Sequence, residues 1–263
     1  MEMEPGKVLR ALAEGEVVPL GMMPWSSNYT FLVQINDEHY SSQLGDTDRP
    51  VINVDGEQIK SDLLAVYKPR KGETPLWDFP EGTLCQREQA AYLVSSALGW
   101  NVVPPTVLRN GPQGFGSLQL FINADPNHHY FNFREKGEVL DDLQRLVLFD
   151  LMINNADRKS GHCLLDDEGH VWGIDHGITF NTEYKVRTVI WDFANELIPT
   201  KHMADMQKLQ TQITAEQPLA KAMRQLLSGA EVKAFRRRLE GLIELGHFPQ
   251  PSRNQRSVPW PPV

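Results

Sequence analysis

Cysteine is scarce in this chain. Cys85 and Cys163 are the only two among 263 residues, and neither stands in a C-x-x-C or other ligand spacing, so a disulfide framework and a cysteine-built zinc site are both excluded. A reducing, cytoplasmic setting is the expectation. Long apolar runs are missing as well. Nowhere do about 18 apolar residues follow one another, and Met1 to Lys7 carries no basic stretch leading into an apolar one. Neither a membrane span nor a signal peptide is expected, and with them stable membrane insertion drops out. Positive charge is also in deficit: 26 Lys and Arg face 34 Asp and Glu, a formal net charge of -8. A chain that tracks a polyphosphate backbone needs a basic surface, so nucleic acid is not an expected partner. No repeat at a solenoid period is present.

What is there divides in character near residues 123–137. Before it, the pattern is mainly β. Val8 to Glu14 suits a short helix, Pro24 to Asn28 a turn, and Thr30 to Ile35 a strand. A polar loop is expected over 36–60, followed by a strand from Leu63 that ends at Lys68 against Pro69. Thr83 and Gln86 have the spacing of a capping box, and Leu84, Arg87, Ala91, Val94 and Leu98 follow at helical spacing until Gly99. Val102 to Leu108 and Gly116 to Ile122 flank a turn at Asn110-Gly111-Pro112 and suggest a strand pair. After the loop 123–137, Val139 to Asn154 is apolar on nearly every side, the mark of a buried helix. Two short runs, Cys163-Leu164-Leu165 and His170 to Ile174, bracket the turn Asp166 to Gly169 and predict a hairpin. From about Met203 the pattern is helical with a break at Ser228-Gly229, and the Pro-rich end suits an extended or disordered segment.

The densest chemistry lies in Asn155-Ala156-Asp157-Arg158-Lys159-Ser160-Gly161-His162, between the buried helix and the hairpin, and in Asp175-His176-Gly177 beyond it. Phosphoryl transfer needs a carboxylate to orient the attacking hydroxyl, a cation on the γ-phosphate and ligands for a divalent ion. Asp157, Lys159 and Asp175 are of those types. The spacing matches a kinase catalytic loop, Asp-x-x-x-x-Asn followed by Asp-x-Gly after the next hairpin. His162 stands at the Asn position. An imidazole offers one lone pair and suits Mn²⁺ better than Mg²⁺.

These runs, from Leu143-Gln144-Arg145-Leu146 through Asp157-Arg158 to Ile174-Asp175-His176-Gly177-Ile178-Thr179-Phe180, resemble type II phosphatidylinositol 4-kinases. The whole chain resembles bacterial phosphatidylinositol 3-/4-kinase-like proteins and, more distantly, HipA-like kinases. The resemblance implies an α+β, bilobal kinase-like fold. A β-rich nucleotide-binding lobe over 15–122 and a helical catalytic lobe over 136–250 would be joined by a linker at 123–135, with the ATP cleft between them and the Pro-rich tail at 251–263. It also implies an ATP-dependent phosphotransferase using Mg²⁺ or Mn²⁺ and a hydroxyl acceptor that is a lipid, a protein or a small molecule.

By the same resemblance Asp157 is the base and Lys159 the cation on the transferring group, with His162 and Asp175 as metal ligands. Lys68 matches the strand lysine that meets ATP phosphates, and Glu88 its helix partner. Ser26, Ser27 and Asn28 would cover the phosphates without a Gly-x-Gly-x-x-Gly, though they read equally well as a hairpin turn. The strand Leu118 to Ile122, including Gln119, Leu120 and Phe121, would face adenine. Arg236-Arg237-Arg238 reads as a solvated helix face, His176 as a bond to a neighbouring group, and Trp191-Asp192-Phe193 as packing below the hairpin. The rival reading is a nucleotide-binding pseudokinase with a regulatory or scaffold role, which His162 keeps open.

Overall fold

A computed structural model describes residues 5–23, 28–42, 51–54, 57–214 and 216–263. The chain divides into two compact units, the first Met1–Gln89 with Pro104–Asn123 and the second Ala90–Val103 with Ala124–Val263.

In the first unit, helix α1 (Pro5–Glu14) is followed by β1 (Glu16–Met22), β2 (Phe31–Asn36), a single turn α2 (Glu38–Ser41), β3 (Val51–Val54), β4 (Glu57–Lys60) and β5 (Leu64–Pro69). Helix α3 (Leu84–Leu98) comes next, and the division between the units falls within it. The unit closes with β6 (Thr106–Gly111) and β7 (Gly114–Leu120). Five strands form one antiparallel sheet in the order β1-β2-β5-β7-β6, while β3 and β4 make a separate hairpin. One face of the sheet is covered by α1: Val8, Ala11 and Leu12 join Val33, Ile35, Ala65, Tyr67 and Leu118 in one buried cluster. Arg109 secures this layer by donating to the carbonyls of Leu12 and Gly15 at 3.0 and 2.8 Å, which satisfies the open C-terminus of α1.

The alternation of β5 sets the position of its lysine. Ala65 and Tyr67 lie in the core against α1, so Val66 and Lys68 project from the opposite face.

The loop expected over 36–60 is corrected by α2 and the β3–β4 hairpin. Asp37 caps α2 by accepting from the Tyr40 N–H at 2.8 Å. The β6 strand starts only at Thr106, because Pro104 and Pro105 lack the N–H a ladder needs. The expected capping box at Thr83 does not form. The Thr83 hydroxyl donates to the Pro80 carbonyl, and Glu73 instead accepts from the Leu84 and Cys85 N–H groups at 3.1 and 2.8 Å. Gly99 ends α3 at φ +69, a left-handed backbone that glycine adopts without strain.

The second unit is built on α5 (Leu140–Ile153), preceded by the single turn α4 (Tyr130–Phe133) inside the segment expected to be loop. Leu143, Leu146, Val147, Phe149 and Met152 are buried, so the helix has almost no solvated face. Strands β8 (Cys163–Leu165) and β9 (Val171–Gly173) form the expected hairpin, and α6 (Thr200–Gln212), α7 (Pro218–Leu226) and α8 (Gly229–Leu245) complete the unit. Ser228 caps α8 in a reciprocal box with Glu231. Arg236 and Arg237 are exposed, but Arg238 turns inward and donates to the carbonyls of Met152 and Asn181 at 2.9 and 3.0 Å. The solvated-face reading of that triplet is therefore corrected at Arg238, whose guanidinium takes up the Met152 carbonyl at the C-terminus of α5 together with the Asn181 carbonyl.

Candidate functional site

Two groups of polar side chains stand out, one in each unit. In the first, Lys68 Nζ lies 2.6 Å from Glu88 Oε1. Glu88 is 3% exposed and Lys68 21%. A carboxylate so buried needs a cation, and the lysine in turn is held with its amine at a fixed point above the sheet. Gly116 on the neighbouring strand lets the two backbones approach closely at this point: a Cβ there would meet the Lys68 carbonyl oxygen at 2.3 Å. A cavity of about 370 Å³ opens in the loop beyond β5, lined by Arg70, Glu73, Leu76, Phe79 and Leu84 among others. Neither Lys68 nor Glu88 lines it.

In the second unit, α5 ends at Asn154, whose φ of 59 reverses the chain. The Asn154 amide donates to the carbonyls of Asn181 and Glu183 while its oxygen accepts from the Lys185 N–H, so three bonds hold the reversal. Asn155 accepts from the Asp157 N–H at 3.0 Å and donates to Asp150 at 2.8 Å. Asp157 therefore leaves the helix in a set direction. Its carboxylate lies 3.5 Å from Lys159 Nζ. Burial raises the Asp157 pKa, opposed by Lys159 and reinforced by the charge of Asp175, so the group has more proton affinity than an ordinary carboxylate.

His162 sits in a 3₁₀ turn, Ser160–His162, that leads into β8. Its Nδ1 is 2.9 Å from the Asp157 carbonyl oxygen. A carbonyl only accepts, so Nδ1 carries the proton and Nε2 presents its lone pair. That lone pair faces Asp175 Oδ2 at 3.5 Å. Burial pulls the imidazole pKa down to about 4 despite the nearby Asp175, so the ring is neutral at pH 7. Two acceptors converging on one point suit a cation held between them. Among the described residues no three His, Cys, Asp or Glu side chains gather as a complete metal cage. A pair of protein ligands is the pattern of ions whose remaining positions are filled by phosphate oxygens and water.

Arg158 carries the arrangement and was not singled out by the sequence reading. It is 0% exposed, and all five of its N–H donors are used. Nε and Nη2 hold Asp150 at 2.9 and 3.0 Å, Nη1 donates to the carbonyls of His162 and Ile174 at 3.0 and 2.7 Å, and Nη2 meets His176 Nε2 at 2.7 Å. The last two partners straddle Asp175, which has the left-handed φ of 60. A non-glycine residue in that region costs energy that its surroundings must offset, and such residues concentrate at functional sites. Gly173 makes room for the guanidinium, since a Cβ there would lie 3.1 Å from Nη2. The sequence signal was Asp150, the one charged residue in the C-terminal half of α5 from Leu146 to Ile153, eight residues before Arg158.

The tip of the β8–β9 hairpin is pinned by a second histidine. His170 Nδ1 lies 2.8 Å from Asp142 Oδ2 on α5 and Nε2 lies 2.9 Å from the Asn101 carbonyl. Both partners only accept, so the ring bears both protons. Burial lowers the His170 pKa, but the bonds to Asp142 and Asn101, with Asp166 nearby, outweigh it and raise it. A raised histidine pKa stabilises the fold fully below the unfolded value of about 6.5 and loses that contribution as pH rises through the folded value. The unfolding free energy of the wild type should fall relative to that of His170→Gln as pH rises above about 6.5, by up to about 1.5–3 kcal/mol for one lost charge-assisted bond, and the wild-type melting temperature should fall with it. Parallel melting curves across that range would remove His170 from this role.

The structure thus brings together Lys68 with Glu88, and Asp157, Lys159, His162 and Asp175 in one loop and hairpin. Ser26 and Ser27 lie outside the described residues. Asn28 accepts from the Thr74 N–H at 2.8 Å. Gln119 is buried and donates to the Thr106 hydroxyl at 2.9 Å. Leu120 is the last residue of β7, and the N–H groups of Leu120 and Phe121 are committed to the carbonyls of Pro105 and Leu64. Phe121 and Ile122 follow the strand rather than belonging to it.

A family model described as phosphatidylinositol 3- and 4-kinase matches residues 19–232. Protein Rv2133c of Mycobacterium tuberculosis is 37% identical over 283 aligned positions, which cover 95% of this chain and 93% of that protein. Phosphatidylinositol 4-kinase gamma 4 of Oryza sativa is 31% identical over 130 positions, 42% of this chain and 22% of the rice protein. The crystal structure of the Helicobacter pylori proinflammatory kinase CtkA is similar with a TM-score of 0.50 at 11% identity, over 90% of this chain and 96% of that one. Identity that low speaks to fold alone, and the fold is the kinase-like α+β arrangement expected from the residues. Among the described residues no helix is long and apolar enough to cross a membrane.

Proposed function

The chain belongs to the phosphatidylinositol 3- and 4-kinase family, and from that premise we propose that it transfers the γ-phosphoryl group of ATP to a hydroxyl acceptor. The observation that carries the reading is the loop in which Asp157 and Lys159 lie 3.5 Å apart and His162 turns a lone pair toward Asp175. Asp157 orients the acceptor hydroxyl and takes its proton, which suits a carboxylate of raised pKa. Lys159 steadies the transferring group, and Lys68, fixed by Glu88, holds the α- and β-phosphates. Asp175 and His162 fit a divalent ion, Mg²⁺ or Mn²⁺, which when bound neutralises charge on the phosphate oxygens. By the family resemblance Asn28 would cover the phosphates, and Gln119 to Ile122 would lie toward adenine. The acceptor is an inositol lipid, a protein side chain or a small metabolite.

The test is ATP turnover by purified protein with Mg²⁺ or Mn²⁺, alone and with each acceptor class, for wild type and Lys68→Ala. Removing the lysine leaves Glu88 buried without its cation and the α/β-phosphates without theirs, so ATP affinity should fall at least about tenfold, the 1.4 kcal/mol scale of a charge-assisted bond. Unchanged affinity and turnover would place Lys68 outside the site. The rival reading, a pseudokinase that the imidazole at the Asn position keeps open, predicts metal-dependent ATP binding with no turnover in any arm.

A further inference from the structure

The Pro-rich segment is not loose. The Pro262 carbonyl accepts from the Ser160 N–H at 2.8 Å, in the middle of the catalytic loop. The Ser257 carbonyl accepts from the Thr188 N–H at 3.0 Å and from Trp191 Nε1 at 3.1 Å. Thr188 in turn pairs with Arg158: the Arg158 N–H donates to the Arg187 carbonyl at 2.9 Å and the Val189 N–H to the Arg158 carbonyl at 3.1 Å. Residues 257–262 therefore run along an edge formed by 158–160 and 187–189, touching it at both ends. Between these contacts Pro259 is buried, and Arg256 donates to the Val258 carbonyl at 2.9 Å with its guanidinium over Trp260. Ser160 beneath is 0% exposed.

The segment grips the loop without plugging it. Asp157 and Lys159 keep 28% and 24% of their side-chain surface in solvent, whereas the backbone between them and His162 is clamped from the side. We propose that residues 257–262 are a positioning strap that holds the backbone of Asp157 to Ser160 in the geometry transfer requires. The segment itself touches neither the acceptor nor the nucleotide. It acts through Ser160 and Thr188, and the proposal rests on the phosphotransferase reading above. Small displacements at reacting groups are costly in rate, so a strap that removes the freedom of one loop has a large effect through few contacts.

The experiment compares wild type with Pro259→Asp, which forces a charge into the buried contact, and with Trp191→Phe, which removes only the bond to Ser257. Amide hydrogen exchange in 157–160 and at Thr188 should accelerate about tenfold or more in Pro259→Asp and less in Trp191→Phe, with α5 and the β5 strand unchanged. Transfer kcat should drop about tenfold with KM for ATP held, as expected of lost positioning rather than lost binding. A synthetic peptide of residues 251–263, added in excess, should restore part of the kcat of Pro259→Asp. Unchanged exchange at Ser160 in both variants overturns the strap, and so does a rise in turnover on release, which would make the segment an inhibitory flap. If wild type shows no transfer, the functional reading fails while the exchange measurement still decides whether the strap exists. If Pro259→Asp does not fold, Trp191→Phe carries the same comparison.

Discussion

Asp157→Asn is expected to bind ATP and metal as wild type does and to lose transfer by about 10²–10⁴-fold, whereas Asp175→Asn loses metal-dependent nucleotide binding itself. The difference follows from what each carboxylate faces. Asp157 points away from the helix end with Lys159 Nζ at 3.5 Å and its proton affinity raised by burial, so its replacement removes a proton acceptor and little else. Asn155 still accepts from the backbone N–H at position 157, which preserves the loop. Asp175 shares a point in space with the lone pair of His162 at 3.5 Å. An amide there weakens the attraction for a cation, so KM for the metal complex should rise while kcat falls. Isothermal titration with and without Mn²⁺, read beside single-turnover rates, separates the two variants. Identical losses in both would mean that the carboxylates act as one unit and that the division of roles is wrong.

The helical unit was legible because its signals are local. A helix apolar on nearly every side can only be buried, and α5 spans Leu140–Ile153 where Val139 to Asn154 was expected. The polar run that follows such a helix has few places to go, so the loop and hairpin bearing Asp157 and Asp175 followed from spacing. Lys68 was placed at a strand end by the apolar run before it, but its pairing with Glu88 was implied by the family resemblance rather than by any local spacing.

The misses have a common cause in long-range pairing. Strand β1 contains Pro19 and Gly21, residues that argue against a strand, and it survives as the sheet edge with a shifted register between them. Glu73 caps α3 from eleven residues upstream, a distance over which no spacing rule reaches. Arg238 looked like one of three solvated arginines because its targets, the carbonyls of Met152 and Asn181, are invisible to helical periodicity. The Pro-rich segment looked disordered because its partners are backbone N–H groups of Ser160 and Thr188, which any sequence offers. Arg158 was passed over between two residues with assigned roles, although it is the one on which their geometry depends.

Arg158→Met is expected to cost about 3–5 kcal/mol of folding stability, the scale for breaking a buried ion pair by removing one partner. Both Arg158 and Asp150 have 0% exposed side chains, so the aspartate left behind cannot recover water; the Ile174 carbonyl loses the guanidinium donor, and the His162 carbonyl keeps the Ile174 N–H as donor. Arg158→Lys should rescue little, because a single ammonium cannot span a carboxylate, two carbonyls and an imidazole that a planar fork reaches at once. The double variant Arg158→Met, Asp150→Leu should recover part of the loss by removing the stranded charge, and the shortfall from additivity measures the pair. Denaturant unfolding of wild type, Arg158→Met, Asp150→Leu and the double variant supplies the cycle. A loss below about 1 kcal/mol in Arg158→Met would put it within the range of an ordinary surface pair and would break the link between this residue and the left-handed backbone of Asp175. With a full loss, the carboxylate at 175 should also move: in any Arg158 variant that still folds, metal-dependent ATP binding weakens even though no ligand has been changed.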